Sequence, residues 1–407
     1  MNRTILDVHI LQTVPPSNLN RDDTGAPKSA VYGGVRRSRV SSQAWKKSTR
    51  EAFGTLLDPS ELGVRTKKVV EALTERVTAR EESLDAQQVW PMAAEILAAA
   101  TGAKIEVPAR SSASKGEKKG EKDEEATEAQ APQSSYLLFL SAHQLDGLAG
   151  LVIEGIGAKA EPKVFVKDKD IKARAKQFAA GRHSVDIALF GRMVADTTDI
   201  NVAAAAQVAH ALSVHAVDVE SDYFTAVDDR NTSAEPGAGM IGTVDFNSAT
   251  LYRYAAVDVD RLAENLDAGL LDGKRTGEPV RRAVEAFIEG FALSMPTGKS
   301  NAFGNHTLPD AVIVKLRSSR PVSFVGAFEQ PVAEQETGNG HVRAACKALA
   351  AHIPAIETAF GATAEQTWVL RVGQHTDALA PLGDPVDLRS LVTGVGEAVA
   401  GRLGKRG

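Results

Sequence analysis

The sequence has little of the chemistry on which secreted, disulfide-bonded and membrane proteins depend. Of its 407 residues only Cys346 is a cysteine, which excludes an internal disulfide framework and any metal site built from several thiols. No apolar run approaches the roughly 20 residues that cross a bilayer. The first residues, MNRTILDVHILQTV, lack a small-residue cleavage site, so we expect no secretory signal and a cytoplasmic protein without membrane contact.

Catalytic and metal-binding groupings are also missing from the pattern. The nine histidines show no metal-ligand spacing; His210 and His215, for example, stand five residues apart, which misaligns them on a helix. No nucleophile and base occur in a readable catalytic arrangement. We therefore expect that the protein is not an enzyme, with no catalytic residues, no cofactor and no metal ion.

Negative charge is absent from one part of an otherwise acidic chain. The formal net charge is −5, yet between Thr24 and Arg50 there is no Asp or Glu and there are seven Lys and Arg residues. This window, which we call the cationic strip, carries +7, and the rest of the chain carries −12. Such a strip favours contacts with nucleic-acid phosphates. The alternative is a solvated basic face that binds nothing.

The end of the cationic strip has the pattern of a helix start. Ser41 or Ser42 is placed to cap a helix that runs through Ala52. The N-terminus of such a helix directs N–H groups and a positive dipole end at an anion. Lys46 and Arg50 are four residues apart and share one face of this helix.

The order of predicted elements indicates an α+β fold with a large helical insertion. Strands are predicted over 3–14, 37–40, 184–194, 250–259, 311–316 and 368–372, with a long hairpin over 216–229 and 240–247. Helices are predicted over 60–103 with a break near Pro91, and over 134–151, 167–180, 202–214, 279–293 and 387–402. Residues 110–130 mix charges of both signs with glycine, which is typical of a flexible, solvated loop.

Two glycine motifs match nucleotide-binding patterns only formally. Residues 237–242 satisfy G-x-G-x-x-G, but a strand-like segment follows them, so a hairpin loop with positive φ is the better interpretation. Residues 297–300, TGKS, resemble the end of a P-loop, but Leu293 stands where that motif requires glycine. Lys299 remains a candidate contact for a phosphate backbone.

Aromatic residues make up only 5% of the chain, so the adjacent pair Tyr223-Phe224 in an acidic hairpin is notable. Adjacent strand residues face opposite sides, so at least one of the two rings is exposed or used in a contact. Exposed rings near a basic strip suit base stacking; a core or subunit contact is the alternative. Met193 has the same two interpretations, core packing or an apolar wedge between bases.

Taken together, several segments resemble the CasC family, the repeated backbone subunit of type I-E CRISPR Cascade complexes. The resembling segments are 17–23, 30–47, 185–193, 222–229 and 252–255. Their order and spacing extend across most of the chain.

The resemblance implies an α+β hand: an RRM-like (ferredoxin-like) palm, a helical fingers insertion and a β-hairpin thumb. The palm would comprise 1–54, 182–215 and 249–407, the fingers 55–181 with the flexible loop 110–130, and the thumb 216–248. The loop is longer than is usual in that family, which leaves open whether the fingers contact target DNA.

The resemblance also implies a non-catalytic scaffold that oligomerises along CRISPR guide RNA and presents it to target DNA in antiviral defence. Implied partners are the guide RNA, target DNA through the guide, other copies of the chain, the large, small, guide-end-capping and guide-processing Cascade subunits, and a recruited helicase–nuclease. The RNA backbone would be held by Arg21, Lys28, Ser41, Ser42, Gln43, Lys46, Lys47 and Arg50, and a flipped base would be lined by Met193, Tyr223, Phe224 and Thr225.

Two alternatives stay open. Related backbone subunits of type III complexes cut RNA with a loop aspartate, so Asp22 or Asp23 would be the candidate in a metal-dependent RNase. Such paired carboxylates, here and at 228–229, are more often turn formers and caps. The second alternative is an RRM-like RNA-binding module that acts alone.

Overall fold

The computed structural model describes residues 3–108, 130–194, 198–227, 238–267, 277–333 and 340–404. The predicted flexible loop therefore lies outside the described residues except for residue 130, as do the acidic pair 228–229 and Gly237. The chain divides into two compact units. The first comprises Met1–Leu57, Ala205–Ala263 and Arg275–Gly407, and the second comprises Asp58–Ala204 and Glu264–Lys274.

The described residues form fourteen strands. They are β1 (Ile5–Ser17), β2 (Ser29–Tyr32), β3 (Val35–Val40), β4 (Gly63–Thr66), β5 (Ile105–Glu106), β6 (Gln133–Ser134), β7 (Leu138–Ser141), β8 (Ala206–Val208), β9 (Ala211–Ser213), β10 (Glu220–Val227), β11 (Ala238–Asp258), β12 (Ala311–Arg317), β13 (Gln366–Arg371) and β14 (Asp384–Pro385).

Twelve α-helices are described. They are α1 (Ser42–Leu56), α2 (Val69–Thr78), α3 (Ala86–Thr101), α4 (Ala142–Gly157), α5 (Pro162–Phe165), α6 (Lys169–Ala180), α7 (Val185–Phe190), α8 (Val259–Asp267), α9 (Gly277–Leu293), α10 (Ser300–Phe303), α11 (Val342–Phe360) and α12 (Leu388–Gly404). Short 3₁₀ helices occur at Pro59–Glu61, Thr198–Ile200, Val325–Phe328 and Gln374–Leu382. Within the described residues, no helix is long and apolar enough to cross a membrane.

The first unit is built on one mixed sheet. Its described strands follow the order β14-β13-β12-β1-β11-β9-β3-β2, and β8 and β10 also pair with β11. The pairs are antiparallel except β13 with β14, which is parallel. Strand β11 is 21 residues long, so the predicted hairpin strand and the predicted strand after it are one continuous element.

Helices cover both faces of the central strands, which is why β1 is buried along most of its length. On one face, Leu349 and Ile353 of α11 belong to the same core cluster as Leu11 of β1. On the other face, the Arg253 guanidinium of β11 lies 3.7 Å from the centroid of the Trp45 ring of α1. This cation–π contact and the adjacent rings anchor α1, which carries part of the cationic strip.

The second unit packs helices α2, α3, α4 and α6 around its own apolar core. Two-stranded sheets, β4 with β7 and β5 with β6, accompany the helices. These helices begin at side-chain caps of residue types that favour this position: Asp85 for α3, Ser141 for α4 and Asp168 for α6. Each cap accepts hydrogen bonds from N–H groups that have no partner within the helix.

Several predictions of local structure are wrong. Residues 63–66 and 138–141, predicted to lie in helices, form the paired strands β4 and β7. Residues 184–194 contain the helix α7 rather than a strand, because burial of Val185, Ile187 and Leu189 on all sides removes the periodicity that identifies a helix. Residues 202–214 form β8 and β9 rather than a helix, since pairing with β11 overrides the helical propensity of alanine. Pro91 lies inside α3 and does not break it.

Candidate nucleic-acid interface

The loop before the cationic strip is folded on itself and tied to helix α1. The Asn20 Oδ1 atom accepts a hydrogen bond from the Ser41 N–H at 2.9 Å, and the Asn20 carbonyl accepts one from the Lys28 N–H at 2.9 Å. Buried Asn18 donates to the carbonyls of Gly25 and Asp245. The structure thus brings the loop and the helix start together, a contact that was not predicted from the sequence, where the asparagine-rich run SNLN was the available signal.

The N-terminus of α1 has the polarity that an anion requires. Ser41 caps the helix, as predicted, and its Oγ accepts a hydrogen bond from the Ala44 N–H at 3.3 Å. No acidic residue occupies the first turn, where Ser42 and Gln43 lie. The helix dipole and the terminal N–H groups therefore present a positive end that no side chain neutralises within that turn.

The basic residues on α1 differ in their surroundings. Lys46 is half-buried, and burial lowers the pKa of its ammonium group. Lys47 is exposed and forms an ion pair with Glu51 at 3.3 Å. Arg50 is half-buried on the same face as Lys46. A phosphate beside Lys46 would stabilise its charged form.

One of the seven basic residues of the cationic strip, Arg37, lies in the protein interior and not on a surface with the others. Arg37 is fully buried. Its guanidinium donates hydrogen bonds to the carbonyls of Tyr32 at 3.1 Å, Ser213 at 3.0 Å and Phe328 at 2.8 Å. It also reaches the Glu329 carbonyl at 3.2 Å. Arg37 therefore joins β3 to neighbouring segments and does not face a ligand.

The remaining strip side chains lie outside the core. Arg36 is exposed and Lys28 is half-buried. Arg39 is also half-buried; its Nε donates to the Ser29 carbonyl at 3.2 Å, and its guanidinium lies 3.2 Å from the His210 ring nitrogen. The accessible charge of the strip is consequently carried by six side chains rather than seven.

The TGKS segment reaches the same loop from a distant part of the sequence. Lys299 adopts a left-handed backbone with φ of +48° and precedes the short helix α10. A Cβ built on Gly298 would lie 2.3 Å from the Leu19 carbonyl oxygen, so only glycine allows this approach. Gly298 and Arg21 line one cleft, which places Lys299 beside the loop. Helix α9 precedes this segment where a P-loop requires a strand, in agreement with the expectation that the match is only formal.

Asp22 serves the loop as a turn former. Its Oδ1 accepts hydrogen bonds from the Thr24 N–H at 2.9 Å, the Thr24 hydroxyl at 2.7 Å and the Ala26 N–H at 3.1 Å. These bonds, led by that of the Thr24 hydroxyl, lower the pKa of the Asp22 carboxyl. Asp23 is exposed. Within the described ranges, no group of three potential ligands is arranged to hold a metal ion.

The predicted hairpin is confirmed for its described residues, and it exposes apolar side chains on both faces. Tyr223 pairs with Thr243 and is 61% exposed; Phe224 pairs with Gly242 and is 38% exposed. Thr225 is exposed as well. The Phe224 ring covers Gly242, where an added Cβ would come within 2.5 Å of it. Gly242 therefore lies in strand β11 beneath an aromatic ring, and the interpretation of this glycine as part of a hairpin loop with positive φ is wrong.

Met193 lies in the second unit and is 89% exposed, so core packing does not explain it. The residue before it is locked in place. Arg192 is buried and donates hydrogen bonds to the carbonyls of Ile200 and Ala179. Burial lowers the pKa of the Arg192 guanidinium to about 10. Buried Arg192 thus fixes the backbone beside Met193, whose side chain is exposed. This arrangement was not predicted from the sequence.

Two solved structures resemble this chain over nearly its whole length. A chain described as "CRISPR RNA-guided surveillance complex, pre-nicking" is 32% identical, with a TM-score of 0.76, over 97% of this chain and 100% of its own length. A chain described as "CRISPR RNA-guided surveillance complex" is 29% identical, with a TM-score of 0.66, over 96% of this chain and 99% of its own. No curated protein shows significant similarity.

The fold and its match to those chains over nearly their whole length define a Cas protein. More narrowly, the chain belongs to the family of CT1975-like proteins, whose sequence profile matches residues 6–393.

Proposed function

We propose that this protein is the CasC subunit of a cytoplasmic type I-E Cascade complex, and that it is a non-catalytic scaffold for CRISPR guide RNA. In this proposal several copies oligomerise along one guide and present it for pairing with target DNA. The sheet of the first unit belongs to an RRM-like palm. Residues 55–181, nearly all of them in the second unit, are the fingers, and β10 with the start of β11 is the thumb.

One observation carries the proposal: the Asn20–Ser41 hydrogen bond holds a folded loop against a positively polarised helix start. Around it stand Arg21 on the loop, Lys28 on the strip and Lys46 on the helix. These groups recognise a sugar–phosphate backbone and not particular bases. A scaffold for guides of any sequence needs contacts of this kind, because sequence is read by pairing between guide and target.

The hairpin supports the same proposal. Its two exposed faces carry Tyr223 and Phe224, and Met240 and Ile241 on the paired strand are also exposed. An exposed two-stranded ribbon with apolar side chains on both faces requires a partner. In the assembled complex it folds over the guide bound to a neighbouring copy and, with Met193, lines an unstacked base.

Salt dependence of RNA binding tests the scaffold. In the variant Lys46→Ala/Arg50→Ala two phosphate contacts are lost, so the slope of log affinity against log salt becomes less steep by about 1.4. The matched control, Arg320→Ala/Lys347→Ala, removes the same charge from exposed positions of the first unit. It leaves the slope unchanged. Equal slopes in both variants would contradict the proposal.

No specific observation favours the RNase alternative, since the Asp22 carboxylate is already engaged by Thr24 and Ala26. Incubation of paired RNA with Mg²⁺ tests it directly: intact RNA is expected, and cleavage that Asp23→Ala abolishes would favour the RNase. The stand-alone module differs from the scaffold in stoichiometry, because it binds as one copy per RNA.

A further inference from the structure

A pocket in the second unit is lined by none of the residues assigned above to RNA. It opens between helices α4 and α6 and the turn that follows α6. Its lining includes His143, Asp146, Gly147, Gln177, Phe178 and Arg182. The lining combines the Phe178 ring with cationic, amide and imidazole side chains and with the Asp146 carboxylate. A ring beside a cationic group is typical of a site for a nucleotide.

The aromatic ring is displayed rather than packed. Helix α6 buries Ile171, Ala175 and Ala179 against the core of the unit, whereas Phe178 is 37% exposed. Its ring rests on the backbone of α4 at Gly147, where a Cβ would come within 2.5 Å of the ring. The glycine thus provides a flat support for the ring, whose exposed part is available to a planar ligand.

The rim of the pocket is positively charged. Arg76 and Arg80 reach the Asp146 carboxylate at 2.7 Å and 2.8 Å, and Arg80 also donates to the Asp146 carbonyl at 2.9 Å. Arg182 belongs to the lining itself. Two guanidinium groups therefore share one carboxylate, and a third belongs to the lining; cationic groups of this kind favour an anionic ligand.

The charge of the adjacent sequence has the same sign. Between residues 159 and 182 there are eight Lys and Arg residues and three acidic residues. Two of the acids, Glu161 and Asp168, accept hydrogen bonds from backbone N–H groups at the starts of α5 and α6. This second cationic segment lies in the part of the chain outside residues 24–50, whose total charge is −12.

We propose that this pocket binds an unpaired base of a single-stranded nucleic acid, stacked on Phe178, with its phosphates near Arg80 and Arg182. An acidic peptide would use the arginines but would have no need for a supported, exposed ring. The inference does not depend on the scaffold function, and the strand is either RNA or DNA.

Photocross-linking of the full chain tests the site. The protein is freed of nucleic acid at high salt and irradiated with single-stranded 12-mers that carry 5-iodouracil, one of DNA and one of RNA. Cross-links are mapped by mass spectrometry, so adducts at Phe178 are separated from adducts at the cationic strip. We expect adducts at Phe178 with at least one strand, and the comparison of the two strands identifies the source.

Variants separate stacking from charge and from folding. Phe178→Trp keeps strand affinity at this site, whereas Phe178→Ala lowers it about tenfold. Gly147→Ala displaces the ring and also lowers cross-linking. Gly150→Ala, on the same helix with open space where the added Cβ would lie, leaves cross-linking unchanged. Unchanged cross-linking at the strip in each variant shows that the chain is folded.

Two results would overturn the proposal. One is the absence of adducts at Phe178 with both strands while the strip still cross-links. The other is displacement of the strand by polyglutamate as effectively as by an unlabelled strand of equal charge, because the pocket would then recognise charge alone.

Discussion

Substitution of Arg37 tests whether charge in the strip is structural or functional. In Arg37→Met the side chain keeps its approximate length and loses its donors. The carbonyls of Tyr32, Ser213 and Phe328, which accept from Arg37 at 2.8 to 3.1 Å, are left without that donor. Each unpaired buried carbonyl costs about 1–3 kcal/mol, and relief from burying a cation offsets part of this sum.

The net loss expected for Arg37→Met is about 3 kcal/mol in the free energy of unfolding. For a unit of this size, 1 kcal/mol shifts the unfolding midpoint by about 2–4 °C, so the expected decrease is roughly 6–12 °C. Arg36→Met is the matched control, since Arg36 is adjacent and exposed; its unfolding changes by less than about 0.5 kcal/mol.

Calorimetry and RNA titration of the two variants distinguish the roles. Arg37→Met lowers the unfolding temperature and, below that temperature, keeps the salt slope of RNA binding. Arg36→Met keeps the unfolding temperature. If Arg37→Met unfolds as the wild type does, or if it flattens the salt slope as a phosphate contact would, then Arg37 faces the ligand and our reasoning fails.

Three further predictions concern close contacts and pH. In Gly298→Ala the added Cβ would lie 2.3 Å from the Leu19 carbonyl oxygen, so the variant lowers the free energy of unfolding in urea by about 1–3 kcal/mol. In the control Gly54→Ala the added Cβ meets no atom, and the free energy of unfolding rises by about 0.5–1 kcal/mol. Equal effects of the two substitutions would contradict the contact. Gly242→Val displaces the Phe224 ring and lowers RNA affinity about fivefold or more in fluorescence anisotropy, and unchanged affinity would exclude a stacking role for that ring. Burial, partly opposed by a backbone hydrogen bond, lowers the pKa of His215 to about 4. As the pH decreases from 6.5 towards 4 the unfolded state therefore binds a proton before the folded state does, and the free energy of unfolding falls by about 2 kcal/mol at pH 5. Urea unfolding at pH 7 and pH 5 is expected to show a smaller pH dependence in His215→Asn than in the wild type, and an unaltered dependence would refute the assignment.

Local signals predicted the elements that local interactions determine. The Ser41 cap depends on one side chain and the N–H three residues later, so residue type was sufficient. The hairpin strands alternate and pair with near neighbours, and they too were predicted. Helix α7 was not, because its burial is determined by segments that the sequence does not place beside it.

The contacts of the candidate site, like helix α7, could be predicted from the sequence only where local interactions determine them. The cationic strip was visible as a charge pattern, but nothing in the pattern distinguishes buried Arg37 from exposed Arg36. The approach of Gly298 to Leu19 joins segments nearly 280 residues apart, and no local rule predicts it. The pocket around Phe178 likewise needs the meeting of α4 with α6, which only tertiary structure supplies.

The stoichiometry of the protein on RNA tests the central claim most directly. Native mass spectrometry of the chain with guide-like RNAs of increasing length is the measurement. The scaffold predicts that the number of copies rises in regular steps as the RNA lengthens, and that scrambling the RNA sequence leaves the steps unchanged. A single bound copy at every length, or no bound RNA, would contradict the account.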